Sequence, residues 1–230
     1  MANERASAVA FVKEVLAVCE PLQFKSVTFF AVLDRVSKDG TLDLLRELAA
    51  AEPRLHVVWA PENRSVVDAY VAGYRAALAD NDWILEIDAG FSHRPEQIPQ
   101  FFHRMSEGYD CVFGTRFSDG GSISDSSRRR KLISQGGTLL SNLLLQTRLH
   151  DLTSGFQLFT RDALAAILAR GIKSRGPFFQ TEMKAYCQRM RIAEVPITYS
   201  GASFTVGKDA LADAFKNLFM LFRLRLQGQL

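Results

Sequence analysis

The chain has 230 residues, of which 47% are hydrophobic and 23% are charged, and its formal net charge at pH 7 is +3. These values suit one α/β domain with an ample core, and so small a charge gives no support to nucleic-acid binding. Three cysteines, Cys19, Cys111 and Cys187, lie far apart and form no CxxC pair. We therefore expect core packing in a reducing compartment rather than disulfides or a zinc site.

Targeting signals and membrane spans are not evident in the sequence. No apolar run approaches the ~20 residues that cross a bilayer, and the opening residues MANERAS lack the apolar segment of a signal peptide. We expect a cytoplasmic protein, and attachment to the surface of a membrane stays compatible with this pattern. The sequence gives no indication of an oligomeric state.

The first half of the chain alternates between helical and extended patterns. Apolar residues recur at helical spacing from Ala8 to Cys19, Pro21 ends that helix, and the β-branched and aromatic run at 26–33 is typical of a strand. The same alternation continues with a helix at 42–48, a strand at 55–59, a helix at 65–78 and a strand at 83–87. It predicts a parallel sheet with right-handed crossovers.

Two of these strands end in an acid. Asp34 follows the first strand, and Asp88 follows the third, ahead of Gly90 and a helix start at Pro95. Because α/β sheets bind ligands at the carboxyl ends of their strands, the two acids are expected to converge on one site. A turn cap is the alternative for either acid alone. No GxGxxG or GxxxxGK[ST] motif is present, so a metal ion is the expected partner of any bound phosphate.

The second half of the chain departs from this regular alternation. It contains a strand, a Ser/Asp/Gly-rich loop, a helix that opens with a cationic run, a polar turn, two helices, a strand and a last helix. The strand is expected at 111–115, the loop at 117–127, the helix with the cationic run at 128–144 and the polar turn at 150–156. The two helices are expected at 161–170 and 179–190, the second strand at 192–199 and the last helix at 209–226.

Several short motifs occur in order along nearly the whole chain. They are Asn3-Glu4, Leu33-Asp34 with Asp39-Gly40-Thr41, Asp88-Ala89 with Ser92-His93-Arg94-Pro95-Glu96, Gly114-Thr115-Arg116, Arg130 with Ser134, DLTSGF at 151–156, FQTE at 179–182 and EVPI at 194–197. Together they resemble the motifs of family-two glycosyltransferases of GT-A fold, nearest to the dolichol-phosphate (polyprenyl-phosphate) mannosyltransferase group. Each motif is weak evidence by itself, and the resemblance depends on their number and order.

The resemblance implies a fold and an activity. The fold is α/β of GT-A type, a Rossmann-like, mostly parallel sheet flanked by helices, without the family's first strand. The activity is metal-assisted, inverting transfer of a sugar from GDP-mannose or a UDP-sugar to a lipid-linked (polyprenyl) phosphate or a related acceptor. Within one domain, 1–110 would bind the nucleotide-sugar, 111–208 would bind the acceptor, and 209–230 would form an amphipathic C-terminal helix.

On this resemblance, donor binding is assigned to Asn3, Glu4, Asp34, Asp88 and Glu182. Asp88 is the expected ligand of Mg²⁺ or Mn²⁺, because both ions favour oxygen ligands. Such an ion neutralises the negative charge that develops on the departing nucleotide diphosphate. For Glu182, a buried structural acid paired with an arginine is an equally weighted alternative.

Catalytic roles are assigned to Arg116, Arg130, Ser134 and Asp151. The two arginines would hold an anionic acceptor through paired hydrogen bonds, and Ser134 shares the helix face of Arg130. Asp151 is expected to orient or deprotonate a group of the acceptor. The alternatives are a solvated cationic face for the run at 128–131 and a turn-forming acid for Asp151.

The terminal helix carries a broad apolar surface together with Lys216, Arg223 and Arg225. That combination fits a membrane interface as well as an ordinary core element, so peripheral contact with a lipid surface is a hypothesis.

The chain also departs from the family pattern at individual positions. Arg35 and Gly90 stand where the family has the second acids of two motifs, and Ala202 stands where a late DRxxGxSK element has its arginine. Arg35, Gly90 and the missing first strand motivate an alternative function, a domain that binds nucleotide-sugar or a protein partner without turnover.

Overall fold

The structure is a computed structural model that describes residues 1–124, 128–200 and 207–230, with the side chains of 128–131 left out. In these residues the helices are α1 Ala8–Cys19, α2 Thr41–Ala51, α3 Val66–Leu78, α4 Ile98–Ser106, α5 Arg128–Leu145, α6 Arg161–Arg170, α7 Phe179–Tyr186 and α8 Lys208–Leu226. The strands are β1 Phe29–Leu33, β2 Leu55–Trp59, β3 Trp83–Glu86, β4 Cys111–Thr115, β5 Ser122–Ser124, β6 Gln157–Thr160, β7 Ile192–Pro196 and β8 Thr198–Ser200.

The strands form three hydrogen-bonded sets. β1 and β2 pair in parallel, as do β5 and β8. The central four-stranded sheet has the order β3-β6-β4-β7, in which β4 and β7 are parallel and β6 runs antiparallel to both of its neighbours. This is the expected α/β architecture, with one antiparallel strand at its centre.

Several element boundaries differ from the sequence-based expectations. The strand β6 was not predicted, because its four residues QLFT are too few and too uniformly buried to show an alternating pattern. The strand expected at 192–199 is two strands that pair with different partners, β4 and β5, on either side of Ile197. The strand β5 lies within the segment expected to be loop, β1 begins at Phe29, and α7 ends at Tyr186.

The core fills both faces of the central sheet. On one face Phe113 and Phe159 pack with residues of α3, α6, α7 and α8. On the other face Phe156 and Leu158 pack with α1 and α4, and Phe101 stacks on Phe156 with ring centroids 4.2 Å apart. All three cysteines are free and buried in this core, which confirms their expected packing role.

A cavity of about 1430 Å³ lies between β1 and β3 and is lined by residues of both strands. Within the described ranges β1 pairs only with β2 and β3 pairs only with β6, so no strand bridges the two. The amino group of Met1 reaches this space and donates to the carbonyl oxygen of Val32 at 2.6 Å. The candidate site lies at the end of the cavity formed by the carboxyl ends of β1 and β3, which we call its mouth.

Candidate active site

Three carboxylates line the mouth of the cavity. Asp34 follows β1, Asp88 follows β3, and Glu4 precedes α1. All three acids line this one cavity, where burial lowers the pKa of the Met1 amino group and the negative charges of Asp34, Glu4 and Asp88 oppose that shift. The structure therefore brings together the two strand-end acids and the acid of the Asn3-Glu4 motif.

The loop after β1 is held by Asn3 and Asp34. Asp34 accepts a hydrogen bond from the backbone N–H of Val36 at 2.9 Å. Asn3 accepts from the backbone N–H of Lys38 at 2.9 Å and donates to the carbonyl of Val36 at 3.2 Å. Both groups of the Asn3 amide are thus used to fix the loop after β1.

Asp88 is held in place by Tyr70 and His93. The Tyr70 hydroxyl donates to Oδ1 of Asp88 at 2.5 Å, and the backbone N–H of Asp88 donates to Nδ1 of His93 at 3.3 Å. Burial lowers the pKa of His93 to about 4, so its ring is neutral at pH 7 and can accept that bond. The Asp88 side chain remains 31% exposed, which leaves it open to a ligand in the mouth.

A buried polar network lies beneath Asp88. Oε1 of Glu86 accepts from Gln180 at 2.5 Å, and Oε2 accepts from Gln157 at 2.6 Å and from the Tyr74 hydroxyl. Burial raises the pKa of Glu86 to about 7. The sequence showed Glu86 only as one polar residue in an apolar strand, and that interruption was the available signal for a buried network.

The second cluster is centred on a buried ion pair between Arg116 and Asp151. Nε and Nη2 of Arg116 donate to the two carboxylate oxygens at 2.7 and 2.9 Å, and Nη2 also donates to Thr153 at 2.6 Å and to Ser134 at 3.4 Å. Burial would raise the pKa of Asp151, but the hydrogen bonds and charge of Arg116, together with the charge of Lys184, hold it below its usual range. A second cavity, of about 400 Å³, has Arg116, Ser122 and Gln135 in its lining.

This geometry corrects the role expected for Asp151. Its side chain is fully buried, both of its oxygens bind Arg116, and its lowered pKa makes it a poor proton acceptor. It therefore orients Arg116. Ser134 joins the same cluster through Arg116 and Thr153.

The structure also bears on the donor-binding role expected for Glu182. Its side chain is fully buried and accepts from the backbone N–H groups of Lys173 and Ser174, both at 2.8 Å, and from the Tyr186 hydroxyl at 2.9 Å. These partners make it a structural acid, although none of them is the arginine that this alternative named. The side chain of Arg130 and the segment that contains Ala202 lie outside the described residues.

Tyr199 lies between the two clusters. Its ring centroid is 5.2 Å from that of His93, which holds Asp88, and 5.5 Å from Cζ of Arg116. The same residue lines the cavity that contains Asp88. No sequence pattern marked Tyr199 or Tyr70, because their importance depends on contacts between distant segments. The carboxylate cluster and the Arg116 cluster are therefore neighbours in one site.

The carboxylates at the mouth fit a metal ion that arrives with a phosphate ligand. Across the described parts of the chain, no three His, Cys, Asp or Glu side chains form a group that could hold a metal by themselves. Mg²⁺ commonly binds through one or two protein carboxylates, with phosphate oxygens and water completing its shell. Asp88, half-exposed and anchored by Tyr70, meets that requirement.

Comparisons with known proteins agree with the resemblance. The family model described as glycosyl transferase family 2 matches residues 3–168. Undecaprenyl-phosphate mannosyltransferase from Micrococcus luteus is 37% identical over 171 residues, covering 73% of this chain and 70% of the relative. Polyprenol monophosphomannose synthase from Mycolicibacterium smegmatis is 29% identical over 232 residues, covering 99% and 85% respectively.

Solved structures share the fold at lower identity. Glucosyl-3-phosphoglycerate synthase from Mycobacterium tuberculosis, in complex with Mn²⁺, UDP-glucose and glycerol 3-phosphate, aligns with a TM-score of 0.63 at 16% identity, over 96% of this chain and 76% of that one. Mannosyl-3-phosphoglycerate synthase from Rubrobacter xylanophilus aligns with a TM-score of 0.58 at 18% identity, over 100% and 73%. These likenesses establish the fold of the chain.

Proposed function

The chain belongs to glycosyl transferase family 2 and is a glycosyltransferase of GT-A fold, and on that premise we propose that it transfers a mannosyl group, with inversion, from a nucleotide-sugar to a polyprenyl phosphate. The names of the two relatives support mannose and a polyprenyl acceptor. GDP-mannose is the preferred donor, and a UDP-sugar is the alternative, since the M. tuberculosis structure contains UDP-glucose.

In this proposal the donor binds at the mouth of the large cavity. Asp34 lies where the nucleoside would sit, and Asp88 faces the diphosphate. A divalent ion, Mg²⁺ or Mn²⁺, would neutralise the charge that develops on the leaving diphosphate. The Tyr70 hydroxyl holds Oδ1 of Asp88, so the carboxylate is oriented before the donor arrives.

The acceptor phosphate binds beside Arg116. A phosphate monoester is already anionic at neutral pH, so it needs to be positioned rather than deprotonated. Asp151 fixes the guanidinium plane through two hydrogen bonds, and Arg116 faces the smaller cavity. Residues 1–110 would thus bind the donor and 111–208 the acceptor.

One observation carries the proposal. The carboxylate cluster and the Arg116 cluster meet at the neighbouring rings of His93 and Tyr199, so a donor diphosphate and an acceptor phosphate would lie side by side. Sugar transfer between two phosphorylated molecules requires that juxtaposition.

A polyprenyl acceptor, which is held in a membrane, would explain the exposed apolar face on α5 and α8. Leu139 and Leu143 are 71% and 73% exposed, and Phe215 and Phe219 are 62% and 61% exposed. The two helices are joined where Arg225 of α8 donates to the carbonyl of Leu144 at 2.6 Å. We include in the proposal that this α5–α8 face contacts the membrane that holds the acceptor.

None of the helices that the structure describes is both long enough and apolar enough to cross a bilayer.

The proposal is tested by incubating the purified chain with GDP-mannose or UDP-glucose, polyprenyl phosphate, and Mg²⁺ or Mn²⁺. We expect GDP release that requires polyprenyl phosphate, and a product whose anomeric configuration is opposite to that of the donor. Asp88→Ala should lower the rate by at least about 100-fold, the scale of losing one group that stabilises developing charge. Asp43→Ala, which removes an exposed acid on α2, is the matched control.

Tight binding of a nucleotide-sugar without release of the diphosphate, in the presence of any lipid phosphate, would contradict turnover. That result would support the alternative of a domain that binds its ligand without reaction.

A further inference from the structure

Gly90 lies two residues after Asp88, at the position where the family motif has its second acid. Its φ angle is +76°. A Cβ atom built on Gly90 would lie 2.8 Å from Oε2 and 2.9 Å from Oε1 of Glu4, closer than such atoms approach in proteins. The carboxylate of Glu4 therefore occupies the space into which a side chain at position 90 would project.

The position of Glu4 is fixed by its own segment. Its backbone N–H donates to Oγ1 of Thr41 at 3.0 Å, and its carbonyl accepts from Ser7 and Ala8 at the start of α1. The Ser7 hydroxyl donates to Oε2 of Glu4 at 2.6 Å, which orients the carboxylate. Because these bonds tie Glu4 to both α1 and α2, its carboxylate is held beside Gly90 by the fold itself.

We propose that Glu4 is the second protein ligand of the divalent ion, supplying from the start of α1 the oxygen that position 90 lacks. The inference rests on the proposed function, because the nucleotide diphosphate completes the coordination shell. Two carboxylates with phosphate oxygens and water form an ordinary Mg²⁺ or Mn²⁺ site.

A second observation supports a cation at this point. Glu4, Asp34 and Asp88 all line the same cavity, so the three acids border one space in which a cation can bind. Their separation along the chain shows that this convergence is produced by the fold and not by a local acidic run.

A purely structural role for Glu4 makes a different prediction from a metal-binding role. Glutamine at position 4 keeps the size of the side chain, and its carbonyl oxygen can still accept from Ser7, so the fold should be retained. Loss of the charge, by contrast, should weaken a metal site directly.

The test measures Mn²⁺ affinity in the presence of GDP, by the electron paramagnetic resonance signal of free Mn²⁺. We expect Glu4→Gln and Asp88→Asn each to weaken Mn²⁺ binding by at least about tenfold. This is the lower end of the loss in metal affinity that follows mutation of residues around a metal site. Glu47→Gln, at an exposed acid on α2, should leave the affinity unchanged. Thermal unfolding without metal should be alike in Glu4→Gln and the unchanged chain.

An exchange of the two positions sharpens the test. Aspartate tolerates positive φ better than most residues, so Gly90→Asp combined with Glu4→Ala can place a carboxylate in the vacated space. This double variant should recover Mn²⁺ affinity relative to Glu4→Ala alone. Unaltered Mn²⁺ affinity in Glu4→Gln, or no Mn²⁺ binding by the unchanged chain with GDP, would overturn the inference.

Sugar transfer is measured separately on the same preparations. Transfer by the unchanged chain together with unaltered Mn²⁺ affinity in Glu4→Gln would reject the role of Glu4 and leave the proposed function standing. Absence of transfer together with weakened Mn²⁺ binding would reject the proposed function and support the ligand.

Discussion

Gly155 brings the DLTSGF motif next to Asp88 and the polar network beneath it. A Cβ atom at this position would lie 2.9 Å from Nε2 of Gln180, 3.2 Å from Oε1 of Glu86 and 3.5 Å from Oδ1 of Asp88. The absence of a side chain therefore lets the motif pack directly against the network beneath Asp88.

Gly155→Ala should destabilise the protein by about 1–3 kcal/mol, because the added methyl group displaces the buried Gln180–Glu86 hydrogen bond. The free energy of unfolding in urea measures this effect. Gly136→Ala is the control: nothing lies within 4 Å of its added Cβ on α5, so it should be neutral or stabilise by up to about 1 kcal/mol. Equal stability of Gly155→Ala and the unchanged chain would contradict the packing argument.

Lys184 is a buried lysine whose ammonium group donates to the carbonyl of Ser154 at 2.6 Å. Burial lowers its pKa from 10.5 to about 8, against the opposing charge of Asp151. Below pH 8 the folded and unfolded chains both carry this proton, and the cost of burying the charge is constant. Between about pH 8 and 10.5 the unfolded chain binds more protons, so this residue makes stability rise with pH.

Compared with Lys184→Met, the unchanged chain should therefore gain about 3 kcal/mol of unfolding free energy between pH 7 and 10.5, at about 1.4 kcal/mol per pH unit. Urea unfolding of both proteins across this range measures the difference. The unfolding free energy of Lys216→Met, at an exposed position on α8, should change with pH in the same way as that of the unchanged chain. A constant difference between Lys184→Met and the unchanged chain would show that the pKa of Lys184 is not lowered.

What the sequence revealed about individual residues depended on how local their roles are. Asp34 and Asp88 were predicted because each follows a strand, and parallel strands deliver their ends to one edge. Tyr70 and Tyr199 were not, since nothing near them in sequence indicates which distant group they contact. Glu182 had two interpretations of equal weight, and only its complete burial against two backbone N–H groups decided between them.

Among the described elements, α5 and α8 carry most of the exposed large apolar side chains. Leu143 and Phe219 are each more than half exposed, so acids at these positions should cost little folding stability. From the sequence, α8 fitted a membrane interface as well as an ordinary core element. That α5 adds to the same exposed apolar face became evident only from its packing against α8.

Leu143→Asp combined with Phe219→Asp should abolish binding to phosphatidylcholine vesicles that contain phosphatidylglycerol at low salt, because it places charge in the apolar face. Sedimentation with vesicles measures the bound fraction. Ala10→Asp with Ala51→Asp adds the same charge at exposed positions of α1 and α2 and should bind as the unchanged chain does. Equal binding by both double variants, or no binding by the unchanged chain, would reject the α5–α8 face as a membrane contact.

At the scale of the whole molecule, the alternation of strands and helices was sufficient to predict an α/β fold. The order of strands was not predictable in full, because β6 inserts antiparallel between β3 and β4 and is only four residues long. The division of the sheet into separate hydrogen-bonded sets likewise depends on tertiary arrangement, which hydrophobic periodicity does not encode.

The gap between β1 and β3 has a consequence for cooperativity. Among the described strands no ladder of backbone hydrogen bonds crosses it. The unit of β1, β2 and α2 is joined to the rest by side-chain packing, with α1 contributing Phe11 to one core and Val12 to the other, and by hydrogen bonds to the segment before α1. Such a unit can open locally while the four-stranded sheet stays folded. A nucleotide bound between Asp34 and Asp88 would touch both sides of this boundary, so occupancy would make the two parts unfold together.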